Sequence, residues 1–582
     1  MWQFSRFLLA AFLIIAGPAN AQTSDEFAGK SDADLRLIGE RIYREGVLPS
    51  GKPLQGLAQA GVQRVGKDAA CVACHRRSGF GTSEGSFAIR SITGTALYGW
   101  QTLARPVIAS PPSGLTPANP GDIGRIDRLA VRKSRIAALS GSRQRPPFDD
   151  TTLARAIREG VDVQGGKLNA GMPRYELNDV EIKPLLAYLK TLSVQPSPGV
   201  SDNEIHFATV IQPGVDAAKR RAMLDVLHGF IQDKNAGTRS EVLRKQAGTE
   251  RMYRAYRKWV LHVWDLSGPS DTWGRQLDAY YAAQPVFSMI GGLGEKSWQP
   301  VHDFSERNSV PCIFPEIDLP VTAAGGFYTV YFSKGITLEA EALAKFLLDQ
   351  EERAPITQVF SQDEVNTAAA LAFRKAFQAK AGIALDERVL DTRPDKEYWQ
   401  KLSREKTSTT LVLWLSAQDL AEAEALFGAE SQVKTIYLSS TLFNTKRRGV
   451  APRGGVRVRL VLSQDLPLNR DARLLRIKSW LHNKGIPLNE EKVLMNTYFA
   501  VSLTADVAGH LADTFSRDYF LERIEHMTGN TVTPSLYPHM SLGPDQRFAS
   551  KGSYIVQVEG EDGKQLRPIS GWIVPDLHGV TP

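Results

Sequence analysis

The chain has 582 residues, of which 42% are hydrophobic, and its formal net charge is +7. This length corresponds to three or four domain-sized units with ordinary globular cores. The small positive charge is spread among 63 acidic residues, so the composition gives no support for a nucleic-acid partner. Three cysteines are too few, and odd in number, for a disulfide framework.

The N-terminus, MWQFSRFLLAAFLIIAGPANAQ, combines Arg6, a short apolar run and small residues before Gln22. This pattern is typical of a secretory signal peptide, and it predicts cleavage after Ala21 and a periplasmic protein. No later stretch reaches the roughly 18 uninterrupted apolar residues that a membrane helix needs. We therefore expect residues 1–21 to be a signal peptide and the mature chain to have no membrane span.

A stretch rich in proline and serine, SVQPSPGVSDNE, divides the rest of the chain. Residues 30–192 before it carry helical patterns and predict an all-α domain, with 193–203 as a linker. Residues 204–582 alternate apolar strand-like runs with amphipathic helices. This alternation predicts βαβ units around parallel sheets, and two such series predict an α/β domain with two lobes.

The N-terminal domain also contains a long segment rich in proline and glycine, from about Ser91 to Pro147. It carries a cluster of basic residues. The segment is either a solvent-exposed loop or a docking surface for an acidic redox partner. The cluster consists of Arg125, Arg128, Arg132, Lys133, Arg135, Arg143 and Arg145.

The motif CVACH holds Cys71, Cys74 and His75. A structural zinc site needs four ligands, and no second CxxC or close HxxxH pair exists. A thioredoxin-like pair needs a strand-to-helix turn, which this region lacks, and a disulfide between these two cysteines would be strained. Two thiols followed directly by a histidine are what covalent haem attachment requires. We interpret Cys312, the remaining cysteine, as an inert buried thiol.

In order along the chain, Gly39, Ile42 and Tyr43, then CVACH, then MPRY and the final helix LLAYLKTL resemble a class I cytochrome c. The resemblance implies one covalent haem c, with thioethers at Cys71 and Cys74 and axial ligands from His75 and Met172. It also implies that the first and last helices cross where Gly39 meets Tyr188. The cytochrome would transfer electrons to or from a redox partner protein, such as a periplasmic dehydrogenase or oxidase.

The segment MIGGLGEKSWQPVHDFSERNSVPCIFPEIDLPV resembles the ligand region of type I periplasmic binding proteins, the branched-chain amino acid family. By position, the resemblance implies a ligand site at Ser297, Trp298, Glu316 and Asp318. Two carboxylates would repel an α-carboxylate, so Glu316 and Asp318 favour a cation or an amine, or form a solvated loop. Trp298 either stacks on a ligand or belongs to the core.

These features favour a periplasmic electron carrier with a fused solute-binding-like domain, which senses a small molecule or docks the cytochrome. The alternative is a solute receptor of an ABC-type transport system with an accessory haem. A third interpretation is the cytochrome subunit of a quinoprotein-type oxidase. The chain has no P-loop or HExxH motif, so we expect an electron carrier rather than an enzyme.

Overall fold

The computed structural model describes residues 30–84, 87–103, 143–245, 257–322, 326–350, 355–378, 385–443, 454–511, 514–560, 563 and 565–575. The chain divides into two compact units, Met1–Val194 and Gln195–Pro582. The expected signal peptide, residues 1–21, and the arginine cluster up to Arg135 lie outside the described residues. Among the residues that are described, no helix has the length and apolar character to cross a membrane.

Helices form the frame of the N-terminal unit. Its described residues contain α1 (Asp32–Glu45), α2 (Val72–His75), α3 (Gly94–Tyr98), α4 (Asp150–Glu159) and α5 (Asp179–Thr191). Capping boxes at Ser31, Asp149 and Asn178 begin the three longer helices. Helices α1 and α4 end at Gly46 and Gly160, both left-handed.

Short strands accompany these helices, so the expectation of an all-α domain needs correction. The strands are β1 (Gln55–Leu57), β2 (Gln63–Val65), β3 (Ser83–Glu84), β4 (Phe87–Ala88), β5 (Gln101–Leu103), β6 (Arg143–Arg145) and β7 (Arg174–Tyr175). Strand β1 pairs antiparallel with both β2 and β7, and β3 with β4 and β5 with β6 form two-stranded pairs. Segments of two or three residues are too short to show the alternation that predicts a strand.

Helices α1 and α5 cross where Gly39 faces the last helix. A Cβ atom on Gly39 would lie 2.0 Å from the Pro184 carbonyl oxygen and 2.7 Å from the Tyr188 Cβ. Only glycine therefore allows this approach, and the predicted meeting of Gly39 and Tyr188 is confirmed. The Tyr43 ring packs beside it, 5.3 Å from that of Tyr188, and its hydroxyl donates to the Arg76 carbonyl.

The C-terminal unit contains two α/β lobes, as predicted. The first lobe has a parallel sheet in the order β13-β11-β8-β10-β12-β14, and β9 pairs with β8. Its strands are β8 (Glu204–Ile211), β9 (Lys258–Asp265), β10 (Ser288–Ile290), β11 (Leu293–Gly294), β12 (Cys312–Ile313), β13 (Glu316–Ile317) and β14 (Thr329–Val330). Its helices are α6 (Ala217–Lys245), α7 (Trp273–Ala283) and α8 (Gln299–Asn308).

The second lobe has a sheet in the order β16-β15-β17-β18-β19-β20-β21, parallel as far as β19 and antiparallel beyond it. Its strands are β15 (Ile356–Ser361), β16 (Leu385–Leu390), β17 (Thr410–Trp414), β18 (Thr435–Ser439), β19 (Arg457–Leu462), β20 (Tyr554–Glu559) and β21 (Gln565–Pro568). Helices α9 (Ile336–Leu348), α10 (Glu364–Gln378) and α11 (Lys396–Arg404) belong to this lobe.

The chain passes between the lobes three times, near residues 333–335, 463–466 and 550–553. After the second crossing, α12 (Pro467–Asn483), α13 (Glu491–Leu511) and α14 (Arg517–Thr528) return to the first lobe. Their apolar side chains share one core with those of β8 and α6. The final strands then complete the second lobe. Three connecting segments thus join two separately built cores.

Candidate functional site

The three groups of the CVACH motif lie on one turn of helix. Helix α2 begins directly after Cys71, and the His75 N–H donates to the Cys71 carbonyl at 2.9 Å. Residues three and four positions apart share a helix face, so Cys71, Cys74 and His75 lie on the same side of this turn. Both thiols are free, as is that of Cys312.

His75 is oriented by a hydrogen bond to the backbone. Its Nδ1 lies 3.0 Å from the Arg90 carbonyl oxygen, which can only accept, so Nδ1 carries the hydrogen. This tautomer leaves a lone pair on Nε2. Burial lowers the pKa of His75 below its ordinary value and favours the neutral ring. A neutral imidazole that donates through one nitrogen to a backbone carbonyl is the usual form of a metal-ligating histidine.

The Met172 loop is tied to the residues that precede the motif. The Tyr175 hydroxyl donates to the Ala69 carbonyl at 2.9 Å, and Tyr175 pairs with Gly56 on β1. Burial, together with the nearby sulfurs of Cys71 and Cys74, raises the pKa of Tyr175. The half-buried Met172 lies three residues before Tyr175, so this bond holds its loop near CVACH.

The donor chemistry of this region fits a haem c. Cys71 and Cys74 supply two unpaired thiols, His75 supplies an oriented imidazole nitrogen, and Met172 supplies a thioether from a neighbouring loop. The described residues contain no group of three or more His, Cys, Asp or Glu side chains that could hold a metal ion. A zinc centre made from such ligands is therefore not seen in the described part of the chain.

In the C-terminal unit, Ser297 lies where the two lobes touch. Its backbone N–H donates to Oε2 of Glu364, at the start of α10 in the second lobe, at 3.1 Å. Its carbonyl accepts from Nε2 of Gln212 in the first lobe at 3.0 Å. The contact to Glu364 uses the Ser297 backbone and not its hydroxyl. That hydroxyl instead accepts from the Gln299 N–H at 3.2 Å.

Trp298 belongs to the core of the first lobe. Its side chain is fully buried, and it packs in one cluster with Val210, Trp264 and Phe304. The structure therefore favours the core alternative for Trp298 over stacking on a ligand.

Glu316 and Asp318 form an ion cluster with Lys492, the second residue of α13. The Lys492 ammonium lies 2.6 Å from Glu316 Oε1 and 3.3 Å from Asp318 Oδ1. Burial would lower the pKa of Lys492, but the two carboxylates raise it well above its ordinary value. Asn496, one turn further along α13, donates its amide to Glu316. The two carboxylates are thus paired, and neither forms the solvated loop considered from the sequence.

A second buried carboxylate cluster lies in the other lobe. Glu339, in the first turn of α9, is fully buried. It accepts hydrogen bonds from the hydroxyls of Ser440 and Thr441, each at 2.8 Å, and from that of Ser439. Burial raises the pKa of Glu339, while these hydroxyls and the Lys492 ammonium oppose the rise. The Lys492 ammonium of the first lobe therefore acts electrostatically on Glu339 of the second lobe.

This pKa shift predicts a pH effect on stability. The native state binds the Glu339 proton more tightly than the unfolded chain, so the free energy of unfolding falls as pH rises above about 4.5. We expect Glu339→Gln, which lacks this proton, to gain stability relative to the wild type as pH rises through that window. Urea unfolding of both proteins between about pH 4 and pH 8 measures this difference. Two curves that stay parallel throughout would contradict it.

No protein-family model matches the sequence, and no curated protein matches it. Several solved structures are similar in fold. They include a fatty acid ABC transporter substrate-binding protein from Thermomonospora curvata, at 14% identity and TM-score 0.47, over 66% of this chain and 95% of that one. A branched-chain amino acid ABC transporter protein from Thermus thermophilus with bound valine has 11% identity and TM-score 0.46, over 64% and 97%. A solute-binding protein from R. palustris in complex with benzoate has 12% identity and TM-score 0.45, over 64% and 97%.

Proposed function

We propose that the C-terminal unit binds a small solute between its two lobes. The observation that carries this proposal is the contact between Ser297 and Glu364, which bridges two α/β lobes joined by three crossings. In open α/β sheets, ligands bind at the carboxyl ends of the strands. Glu364 follows β15 and Ser297 follows β11, so the bridge joins these ends of the two sheets.

Binding can be tested with a panel of small carboxylates, amines and uncharged compounds. The carboxylates include valine and benzoate, which are bound in two of the similar structures. We expect at least one compound to raise the unfolding temperature and to contract the protein in small-angle scattering, because a bound solute stabilises the closed lobes. A panel in which no compound does either would speak against a solute receptor.

A pair of glutamate variants shows whether the bridge takes part in closure. Glu364→Ala removes the bond between lobes, and we expect it to weaken binding by about tenfold or more, the worth of one charge-assisted hydrogen bond. Glu295→Ala is the matched control, since Glu295 pairs with Lys219 inside the first lobe at 3.1 Å. Equal losses in both variants would contradict a role for the bridge.

We further propose that the N-terminal unit carries one covalent haem c and transfers electrons in the periplasm. The specific observation that favours this second function is the bond from His75 Nδ1 to the Arg90 carbonyl, which leaves Nε2 free for an iron. Cys71 and Cys74 would form the thioethers, and His75 and Met172 would provide the axial nitrogen and sulfur. A haem with these ligands supplies one-electron transfer at a raised potential. Its partner would be a periplasmic dehydrogenase or oxidase, and residues 1–21 would direct export.

Replacement of Met172 tests the distal ligand. We expect Met172→Leu to keep the covalent haem but to lower its midpoint potential by on the order of 0.1 V, because axial ligands set haem potentials over about 0.8 V. Met223→Leu is the matched control, since Met223 is buried in the core of the first lobe. A redox titration of the three proteins measures the change. An unchanged potential in Met172→Leu would show that another group occupies this position.

A further inference from the structure

Each lobe contains one set of groups that can recognise an anion. One is the Lys492 ammonium, which a carboxylate can approach as an ion-pair partner. The other is a row of three hydroxyls, Ser439, Ser440 and Thr441, at the carboxyl end of β18. The Ser439 oxygen also accepts the backbone N–H groups of Thr441 and Leu442, each at 3.1 Å, so this turn is fixed. Such groups are what a solute carboxylate would use.

Both sets are already occupied by carboxylates of the chain itself. Glu316 and Asp318 hold Lys492, and Glu339 accepts from the three hydroxyls. The Ser463 hydroxyl, at the second crossing, lies 3.4 Å from Oε1 of Glu339, which also accepts from Ser440 and Thr441. The Lys492 set belongs to the first lobe, at the start of α13, and the hydroxyl set belongs to the second lobe, at the end of β18.

We propose that Asp318 and Glu339 are specificity-determining residues that exclude carboxylate solutes and leave the site to uncharged or cationic ones. This inference rests on the proposed solute site between the lobes. A solute carboxylate would have to displace an internal carboxylate from donors that are already satisfied. It would also meet two acids beside one lysine, which repel a further negative charge.

The exposure of the cluster makes the test practical. The Asp318 side chain is 30% exposed and that of Lys492 is 36% exposed, so a solute can reach this pair. Asp318→Asn removes one of the two negative charges from Lys492 at a partly exposed position. Glu339→Ala frees the three hydroxyls but opens a buried space. Asp278→Asn is the matched control, because Asp278 pairs with Arg307 elsewhere in the first lobe at 2.8 Å.

The experiment compares matched pairs of probes on the full-length protein by calorimetry and thermal unfolding. The pairs are benzoate with benzyl alcohol and valine with valinol, which differ in the carboxylate. We expect the wild type and Asp278→Asn to bind neither carboxylate more tightly than its uncharged or cationic counterpart. We expect Asp318→Asn and Glu339→Ala to lower the dissociation constant for a carboxylate at least about tenfold.

Two results would overturn the inference: a wild type that prefers the carboxylates, or variants that gain no affinity for them. If Glu339→Ala does not fold, the carboxylate affinity of Asp318→Asn alone tests the inference. A wild type that binds none of the probes, with carboxylate binding gained in Asp318→Asn, supports both the exclusion of carboxylates and a solute site between the lobes. A lack of binding by the wild type and by every variant counts against the inference and against the proposed solute receptor. A wild type that binds a carboxylate tightly overturns the exclusion and supports the receptor.

Discussion

Gly39→Ala is expected to destabilise the N-terminal unit strongly, although alanine is the better helix former. In an exposed helix this change would stabilise by about 1 kcal/mol. Here the added methyl group would lie 2.0 Å from the Pro184 carbonyl oxygen, on the backbone of α5. A backbone carbonyl cannot rotate out of the way as a flexible side chain can, so α1 and α5 must separate. We expect a loss of about 3 kcal/mol or more, at the upper end of overpacking effects.

Hydrogen exchange in peptides from α1 and α5 measures this loss in the intact protein. Gly509→Ala in α13 is the matched control, since no described atom lies within 4 Å of the position where its Cβ would be built. We expect the control to be neutral or slightly stabilising. Unchanged protection of α1 and α5 in Gly39→Ala would contradict the close crossing of these helices.

The double variant Cys71→Ala/Cys74→Ala is expected to abolish covalent haem. Thioether bonds survive denaturation, whereas a haem held only by axial ligands is released when the chain unfolds. We expect the exported double variant to retain less than about a tenth of the wild-type haem signal on a denaturing gel. The measurement requires a host that attaches haem in the periplasm.

Cys312→Ala is the matched control for the double variant. Its thiol is fully buried in the first lobe of the C-terminal unit, and burial raises the pKa of Cys312 to about 12. A buried protonated thiol is unreactive, so we expect this variant to carry the full complement of haem. Full haem in the double variant, or its loss in Cys312→Ala, would contradict attachment at CVACH.

Local pattern was sufficient to predict the main architecture. The alternation of apolar strands and amphipathic helices predicted two α/β lobes after residue 204, because both periods are visible within short windows. The glycine in α1 and the aromatic residue in α5 predicted the helix crossing of the N-terminal unit. Its strands were missed because the pairing of β1 with β7 joins Gly56 to Tyr175, and nothing near either residue indicates the other.

The candidate solute site was predicted only in part, since its electrostatics depend on distant contacts. Glu316 and Asp318 were identified, but Lys492 lies 174 positions from Asp318 and was not. Glu339 lies about 100 positions from the hydroxyls that surround it. A lysine near the start of a helix and a glutamate in an apolar helix are weak signals, since both occur widely without a partner. The sequence left open whether Trp298 belongs to the core or contacts a ligand, because neighbouring residues do not show whether a side chain is buried.

The intact mass of the wild-type protein, purified after export, tests most directly whether the N-terminal unit is a haem protein. We predict a mass equal to the chain beginning at Gln22 plus one haem, with the added mass in the peptide that contains Cys71 and Cys74. An exported chain of unmodified mass, from a host that attaches haem to other cytochromes, would contradict this.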